Sequence, residues 1–325
     1  MTHIPVINIE NAINGSYEQR LSMGKEIDTV CREVGFFSLR GHGVDPILIN
    51  RLREISYDFF NLPLEEKRKV APRNNQPRGY RGLGFEALSA GNDLQTPPDL
   101  KEYFHFGRQT WPDDPYFVEG DGPSYFIPNV WPTYPAGWAE IAQEYYEAME
   151  KLTQLLLRFS ALGLGLPEEF FEDKIDRHIT AMRINHYPAR TQPPLPGQLR
   201  AGAHTDYGLL TILSGEDKPG GLEVLTRNGT WIKARTEPDA FVVNIGDLLM
   251  RWTNDRWVSN THRVTNPDVT DPNVTGSDSA RLSIAFFHHP NYDALIECID
   301  TDRPAKYPPV LSGKYRSEKY VQTQS

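Results

Sequence analysis

The chain has little cysteine, no excess of positive charge and no long hydrophobic run. In 325 residues it carries two cysteines, Cys31 and Cys298. Two thiols cannot build a disulfide framework or a cysteine-based zinc site, so both are expected reduced, in a cytoplasmic protein. Acidic residues outnumber basic ones 43 to 34, a net charge of -9. Nucleic-acid binding needs clustered Lys and Arg, and no such cluster is present, so no nucleic-acid partner is expected. No apolar run approaches the ~20 residues of a membrane span. The opening MTHIPVINIENAING lacks the basic-then-apolar order of a secretory signal. No membrane partner is expected either. There is no internal repeat and no low-complexity tract. What remains is the composition and length of an ordinary globular chain, enough for one large core.

Two textures divide that chain. Up to about residue 133 helices and loops dominate. IPVINIE (Ile4–Glu10) alternates as a short strand, and Ser16–Gly35 has Leu21, Ile27, Val30 and Val34 at helical spacing with Gly35 as a stop. FFSLRGHG (Phe36–Gly43) reads as a strand, Pro46–Phe60 as a helix, and PLEEKRK as a short helix. Residues 71–133 are rich in Gly, Pro and aromatics and are expected to be irregular, with at most short elements. The longest helix is expected from Tyr134 to Leu162, its apolar stripe formed by Ile141, Tyr145, Leu152, Leu155, Leu156 and Phe159. From about Ile179 short apolar runs alternate with turn signals, the pattern of an antiparallel sandwich or barrel. Asn228-Gly229 is a hairpin signal. The expected architecture is therefore mainly β with flanking helices. Residues 1–133 form an N-terminal helical and loop region. Residues 134–325 hold the long helix and a β core, about 179–290, in one compact unit with the first.

AGAHTDYGLLTIL (Ala201–Leu213) places His204 and Asp206 at the mouth of an apolar strand. Two residues apart on extended backbone, they point to the same side. A carboxylate there is costly to bury unless it is paired or binds a cation. Among the few imidazoles of the strand-rich region, His262, in SNTHRV, lies 58 residues on, a separation that a jelly roll can close. Two imidazoles and one carboxylate form the facial triad of non-haem Fe(II) oxygenases. Zinc with two His and one carboxylate is the competing chemistry, but its usual His-Glu-x-x-His helix motif is absent. Downstream, ARLSIAFFHHP sets Arg281 and Ser283 two apart on a strand. A guanidinium fork with a neighbouring hydroxyl suits the carboxylate of an organic acid held beside the metal.

Together, HTD (His204–Asp206), His262, RLS (Arg281–Ser283) and NHYP (Asn185–Pro188) resemble the 2-oxoglutarate/Fe(II)-dependent dioxygenases of the isopenicillin N synthase-like superfamily. IPVINIE, REVGFFSLRGHGV and FFNLPLEEKRK are similar to that group's N-terminal region, so the resemblance spans nearly the whole chain. It implies a double-stranded β-helix (jelly-roll) core with a helical N-terminal region. It implies Fe(II), 2-oxoglutarate and O2 as cofactor and co-substrates. The activity implied is oxidation, above all hydroxylation, of an unactivated C–H in a small molecule, as in secondary metabolism, with release of succinate and CO2. His204, Asp206 and His262 match the iron ligands. Arg281 and Ser283 match the pair that grips the distal carboxylate of 2-oxoglutarate. Tyr187 and Asn185 match residues that hold the rest of it. His186 stands where plant members carry tyrosine, and is read as a packing or hydrogen-bonded residue.

On the substrate side, Phe287 and Arg183 match positions that face substrate in relatives, and Phe104 and Phe106, with Tyr103, are candidates for the pocket mouth. His3, His42, His105, His178, His288 and His289 are assigned to structure or solvent. Arg73, Arg78, Arg81 and Lys101 would suit a polar or carboxylated substrate, although scattered cations are usually solvated surface. Two rival functions stay open at this stage. One is a same-fold Fe(II) oxidase that uses no 2-oxoglutarate, catalysing ring closure or ethylene formation; desaturation and demethylation also use the same core. The other is a non-enzymatic ligand-binding module.

Overall fold

The computed structural model describes residues 3–73, 76–89, 97–189, 193–235, 237, 239–268, 279–299 and 303–323. The first part of the chain forms β1 (Val6–Asn8), α1 (Glu10–Ile13), α2 (Tyr17–Glu33), β2 (Phe36–Arg40), α3 (Pro46–Phe60) and α4 (Leu64–Arg68). Next come β3 (Gly79–Arg81), β4 (Glu102–Gly107), α5 (Pro115–Val118), α6 (Gly122–Tyr125), α7 (Trp138–Leu164) and α8 (Glu172–Ile175). The strand-rich part holds β5 (Ala181–Tyr187), β6 (Ala201–His204), β7 (Leu210–Ser214), β8 (Gly221–Leu225), β9 (Trp231–Lys233), β10 (Phe241–Ile245), α9 (Asp247–Trp252), β11 (His262–Thr265) and β12 (Arg281–His288). The chain closes with β13 (Leu295–Ile296), β14 (Val310–Leu311) and α10 (Ser312–Thr323).

Local chemistry sets several of these boundaries. The Ser16 side chain accepts from the Gln19 N–H while the Gln19 side chain accepts from the Ser16 N–H, a reciprocal cap that starts α2. Gly35, at φ +67°, ends that helix, and its open side lies against the Val258 carbonyl, where a Cβ would not fit. Asp45 caps α3, whose first residue is Pro46. The Asn228-Gly229 turn joins β8 to β9 as the sequence predicts, with Gly229 at φ +80°.

Two sheets carry the fold. The larger runs in the order β1-β2-β10-β7-β12-β5-β4-β3 and the smaller β6-β11-β8-β9. This is the jelly roll, extended at one edge by the N-terminal strands. One face of the large sheet, with Met182, Ile184, Ile212, Val243, Ile284 and Phe286, joins one apolar core with residues of α2, α3 and α7. The other face looks across at the small sheet and is lined by polar and charged groups.

The stretch 71–133 holds only short elements, as expected, but one of them is built into the main sheet: β4 pairs over six residues with β5 and carries β3 on its outer edge. EYFHFG is dense in aromatic residues that suit a pleated surface, but every position of β4 is buried. The polar/apolar alternation that marks a half-exposed strand is therefore absent. The Pro-rich stretch Ala189–Gln198 reads in the sequence as a loop, and its residues 190–192 lie outside the described residues.

Candidate active site

The pleat assigns side chains to the cavity. On β12, Arg281, Ser283, Ala285 and Phe287 alternate onto the inner face. The register sets them opposite Tyr187, Asn185, Arg183 and Ala181 of β5. All eight line a cavity of about 140 Å³ between the sheets, and the His204, Asp206 and His262 side chains open into it.

His204 ends β6 and His262 begins β11, and the two strands pair with these residues directly opposite each other. The 58-residue gap in sequence thus closes to a cross-strand contact, with ring centroids 4.3 Å apart. Asp206 lies just past the end of β6. Its Oδ1 is 3.9 Å from His204 Nε2 and its Oδ2 is 3.8 Å from His262 Nε2. The three ligand atoms all lie within 4.8 Å of one another. Each imidazole is aimed by its other nitrogen: Nδ1 of His204 donates to the Gly202 carbonyl at 2.7 Å, and Nδ1 of His262 donates to that of Asn260 at 3.2 Å. Asn244 donates to Asp206 Oδ2 at 2.8 Å, and the Asp206 carbonyl accepts from the Asp247 N–H at 2.7 Å. Burial, then the neighbouring His262, depresses the His204 imidazole to about 3. Burial alone would raise the Asp206 carboxyl, but His262 and His204 outweigh it and hold it low. At neutral pH the imidazole of His204 is therefore neutral and the carboxylate ionised, the protonation states that a divalent metal requires.

Next to this cluster stands Arg281, 2% exposed. Among the described residues its guanidinium has no acceptor, and its Nε is buried without a partner. It faces the Tyr187 ring at 5.7 Å. Gly221 leaves its Nη1 room, since a Cβ there would come within 3.0 Å. Ser283 accepts from the Asn185 amide at 3.3 Å, and the Asn185 carbonyl oxygen is buried without a partner. Unpaired buried donors of this kind are rare and call for a ligand. The arrangement fits a metal chelated by an organic acid whose far carboxylate reaches Arg281.

Comparison with known proteins agrees with this geometry. Residues 179–290 match the profile of the 2OG-Fe(II) oxygenase superfamily. Residues 4–134 match the N-terminal profile described as non-haem dioxygenase in morphine synthesis. A homoarginine-6-hydroxylase of Oryza sativa subsp. japonica is 33% identical over 94% of this chain and 90% of its own length. The chain belongs to the 2-oxoglutarate-Fe(II) oxygenase superfamily. A 2-oxoglutarate-Fe(II) type oxidoreductase of Emericella nidulans is 34% identical over 94% of this chain and 86% of its own. Among solved structures, a full-length Neurospora crassa protein in complex with alpha-KG superposes at a TM-score of 0.84, with 31% identity, covering 98% of this chain and 96% of that one. JOX2 in complex with 2OG, Fe and JA superposes at 0.78, with 28% identity, covering 99% and 86%. This oxygenase uses Fe(II) and 2-oxoglutarate, which favours the 2-oxoglutarate-dependent reading over the oxidase and the binding module.

The substrate-side candidates divide. Phe287 and Arg183 line the cavity. Phe104 and Phe106 do not: the pleat of β4 turns them to the opposite face, where both pack on Trp131 in the apolar core. Their neighbours Lys101 and His105 face the cavity instead. Period two along β4 requires this, because one alternate set must face each way. Tyr103 shares the cavity side, its hydroxyl donating to Glu86 at 3.2 Å. Arg183 is not free. Its Nη1 pairs with Glu86 at 2.8 Å, and Lys101 pairs with Glu86 at 2.8 Å and Asp99 at 3.2 Å. Burial alone would raise the Glu86 carboxyl, but Arg183 and Lys101 hold it at about 2. Lys101 is a buried wall residue, and Arg78 is buried without lining the cavity; neither is solvated surface.

His186 points away from the cavity, hydrogen-bonded to Glu102 at 2.8 Å and stacked on Phe60, as expected. Sequence reasoning missed Glu86, Leu88, Tyr207, Arg316 and Tyr320 as wall residues and placed His105 and His289 elsewhere. Arg316 and Tyr320, four apart on α10, carried the one usable signal: a shared helix face.

Proposed function

We propose that His204, Asp206 and His262 are the iron ligands of a hydroxylase acting on a small organic molecule. We place Arg281 and Ser283 at the distal carboxylate of 2-oxoglutarate, with Tyr187 and Asn185 along its length. Phe287 and Arg183 stand on the substrate side. The observation that carries this reading is the unpaired, buried Arg281 in the same cavity as the three-residue cluster.

When bound, iron and 2-oxoglutarate supply the oxidant that turns a C–H bond and O2 into an alcohol, with succinate and CO2 as co-products. The chain's own work is positional. The Gly202 and Asn260 carbonyls fix the two imidazoles, and Asn244 fixes the carboxylate. Arg281, already desolvated, offers a fork that a carboxylate meets bidentately. The flat face of Tyr187 limits how the acid lies. The charge-balanced group of Glu86, Arg183 and Lys101 holds the substrate-side wall in place. The relatives include a homoarginine hydroxylase and the Neurospora crassa protein, also solved with thymine, which supports a small-molecule substrate here; the N-terminal profile's description, morphine synthesis, supports a place in secondary metabolism. The two-cysteine composition supports a cytoplasmic location. Among the described residues no helix is long and apolar enough to cross a membrane.

His204→Ala tests the ligand set. It is expected to abolish stoichiometric Fe(II) binding and succinate formation together while the protein stays folded. Full turnover in that variant would remove the assignment. O2 consumption by the wild type without succinate would point to the oxidase chemistry.

A further inference from the structure

A second unpaired guanidinium reaches the cavity from the C-terminal helix. Arg316 lies on α10 and lines the wall together with Tyr320. Among the described residues it has no hydrogen bond, ion pair or ring contact. Around it are other donors without acceptors. Arg78, 4% exposed, has Nε and Nη1 buried without partners, and Gly107 leaves room for its guanidinium. His105 is buried with neither ring nitrogen bonded, and His289 is buried with Nδ1 unbonded. Both imidazoles line the cavity.

These groups act on one another. Arg316 and Arg78 repel, and Arg78 is pushed down to about 10, first by burial and then by Arg316. Burial, then Arg78, drives His105 far below the usual imidazole range, and Arg316 adds to that. Burial, then Arg316, does the same to His289, while Asp206 opposes it. His289 thus stands within electrostatic reach of both the metal cluster and Arg316.

The charges of the cavity do not otherwise close. Lys101 and Arg183 are charge-paired with Glu86, and Lys101 also with Asp99, although Nε of Arg183 has no partner. Arg281 answers the co-substrate. Arg316, half-buried with the fully buried Arg78 near it, faces a small cavity with no hydrogen-bond or ion-pair partner among the described residues; the unpartnered buried donors beside it, on Arg78 and His105, are of the kind natural interiors avoid.

Resting on the function proposed above, we propose that Arg316 is the substrate-binding cation and that the substrate is a small monocarboxylic acid. A carboxylate is the planar partner that a guanidinium fork meets bidentately. The neutral His105 and His289 offer further hydrogen bonds to it. Leu88, Ala285 and Phe287 offer an apolar wall for the rest of the molecule. The C-terminal helix is held where this requires. Tyr315 donates to Asp247 at 3.5 Å and Lys319 lies 3.4 Å from the same carboxylate. Asp247 in turn accepts from the Thr205 hydroxyl at 3.2 Å, beside the metal cluster. Helix α10 therefore delivers Arg316 to the cavity and is tied to the metal-binding loop by one acid.

The test uses the enzyme loaded anaerobically with Fe(II) and 2-oxoglutarate, followed by the visible band of the chelate and by thermal melting. The probes are phenylacetate, 3-phenylpropanoate, indole-3-acetate and octanoate, each beside its primary amide. In the wild type at least one acid is expected to perturb the band with ten-fold or greater preference over its amide. Arg316→Gln should remove that preference while leaving the 2-oxoglutarate titration and the melting temperature unchanged. Arg316→Lys should restore part of it. Equal binding of acids and amides, binding of no acid, or a preference that survives Arg316→Gln overturns the proposal and leaves the oxygenase assignment standing. Loss of the chelate band from the wild type overturns the underlying function instead.

Discussion

Arg183 and Arg281 sit on neighbouring strands, face the same cavity and are both largely buried, yet their surroundings differ. Arg183 is gripped by Glu86 and lies over the Tyr103 ring, 4.1 Å away. Arg281 has an aromatic neighbour and feels Glu216 and Asp217 only at a distance; among the described residues no acid is in hydrogen-bond or ion-pair contact with it. A buried guanidinium that already holds its counter-ion shapes a wall, and one that lacks it is built to receive an anion. The two arginines are told apart by what faces them, which no spacing in the sequence reveals.

The largest effect that sharpens this contrast comes from Glu86→Gln. Removing one partner of a buried pair leaves charge uncompensated and costs about 3–5 kcal/mol. The variant should melt well below the wild type. Its 2-oxoglutarate affinity should stay within a few-fold, because Arg281 does not depend on Glu86. An unchanged melting temperature would mean that Arg183 and Lys101 are not held by this carboxylate.

A second effect follows from the imidazoles. His105, His288 and His289 are driven well below the ordinary value, by burial first and then by Arg78, His178 and Arg316 respectively. Their folded values lie below their unfolded ones, so the unfolded chain takes up protons that the folded chain refuses. Their stabilising contribution is complete above about pH 6.5. It is lost as the pH falls, at about 1.4 kcal/mol per pH unit for each histidine. Glu86, held at about 2, adds a further loss only below about pH 4.5. Denaturation at pH 7.5 and 5.5 checks this, and equal stability at the two would contradict the neutral state of these rings.

The smallest effect separates two phenylalanines. Phe104→Leu should cost about 1 kcal/mol of stability and leave substrate affinity alone, since the ring packs in the core. Phe287→Leu should do the reverse, measured as a rise in KM with little change in melting. Matching KM effects would place Phe104 back at the cavity.

What the sequence disclosed follows from how locally each feature is encoded. The capped helix α2, the helix α3, the Asn-Gly hairpin and the three candidate ligands were legible, because caps, turns and alternation act over a few residues. The pairing of His204 with His262 was legible as a possibility, and the fold supplied the register. The faces of β4 were not, since both are buried and its aromatic run carries no polar marker. Glu86 and Arg316 were hidden for another reason. The first comes from an irregular loop and the second from the last helix, and only tertiary packing brings them to the cavity.

The central claim is that Arg281 receives the co-substrate carboxylate, and one titration addresses it most directly. Wild type and Arg281→Ala, both loaded with Fe(II), are titrated anaerobically with 2-oxoglutarate while the visible charge-transfer band of the chelate is followed. A charged, desolvated hydrogen-bonding pair is worth about 1.5–3 kcal/mol, or roughly ten- to two-hundred-fold in affinity. The account predicts that the band forms in both proteins but needs that much more 2-oxoglutarate in the variant. Equal affinity in the two proteins would contradict it.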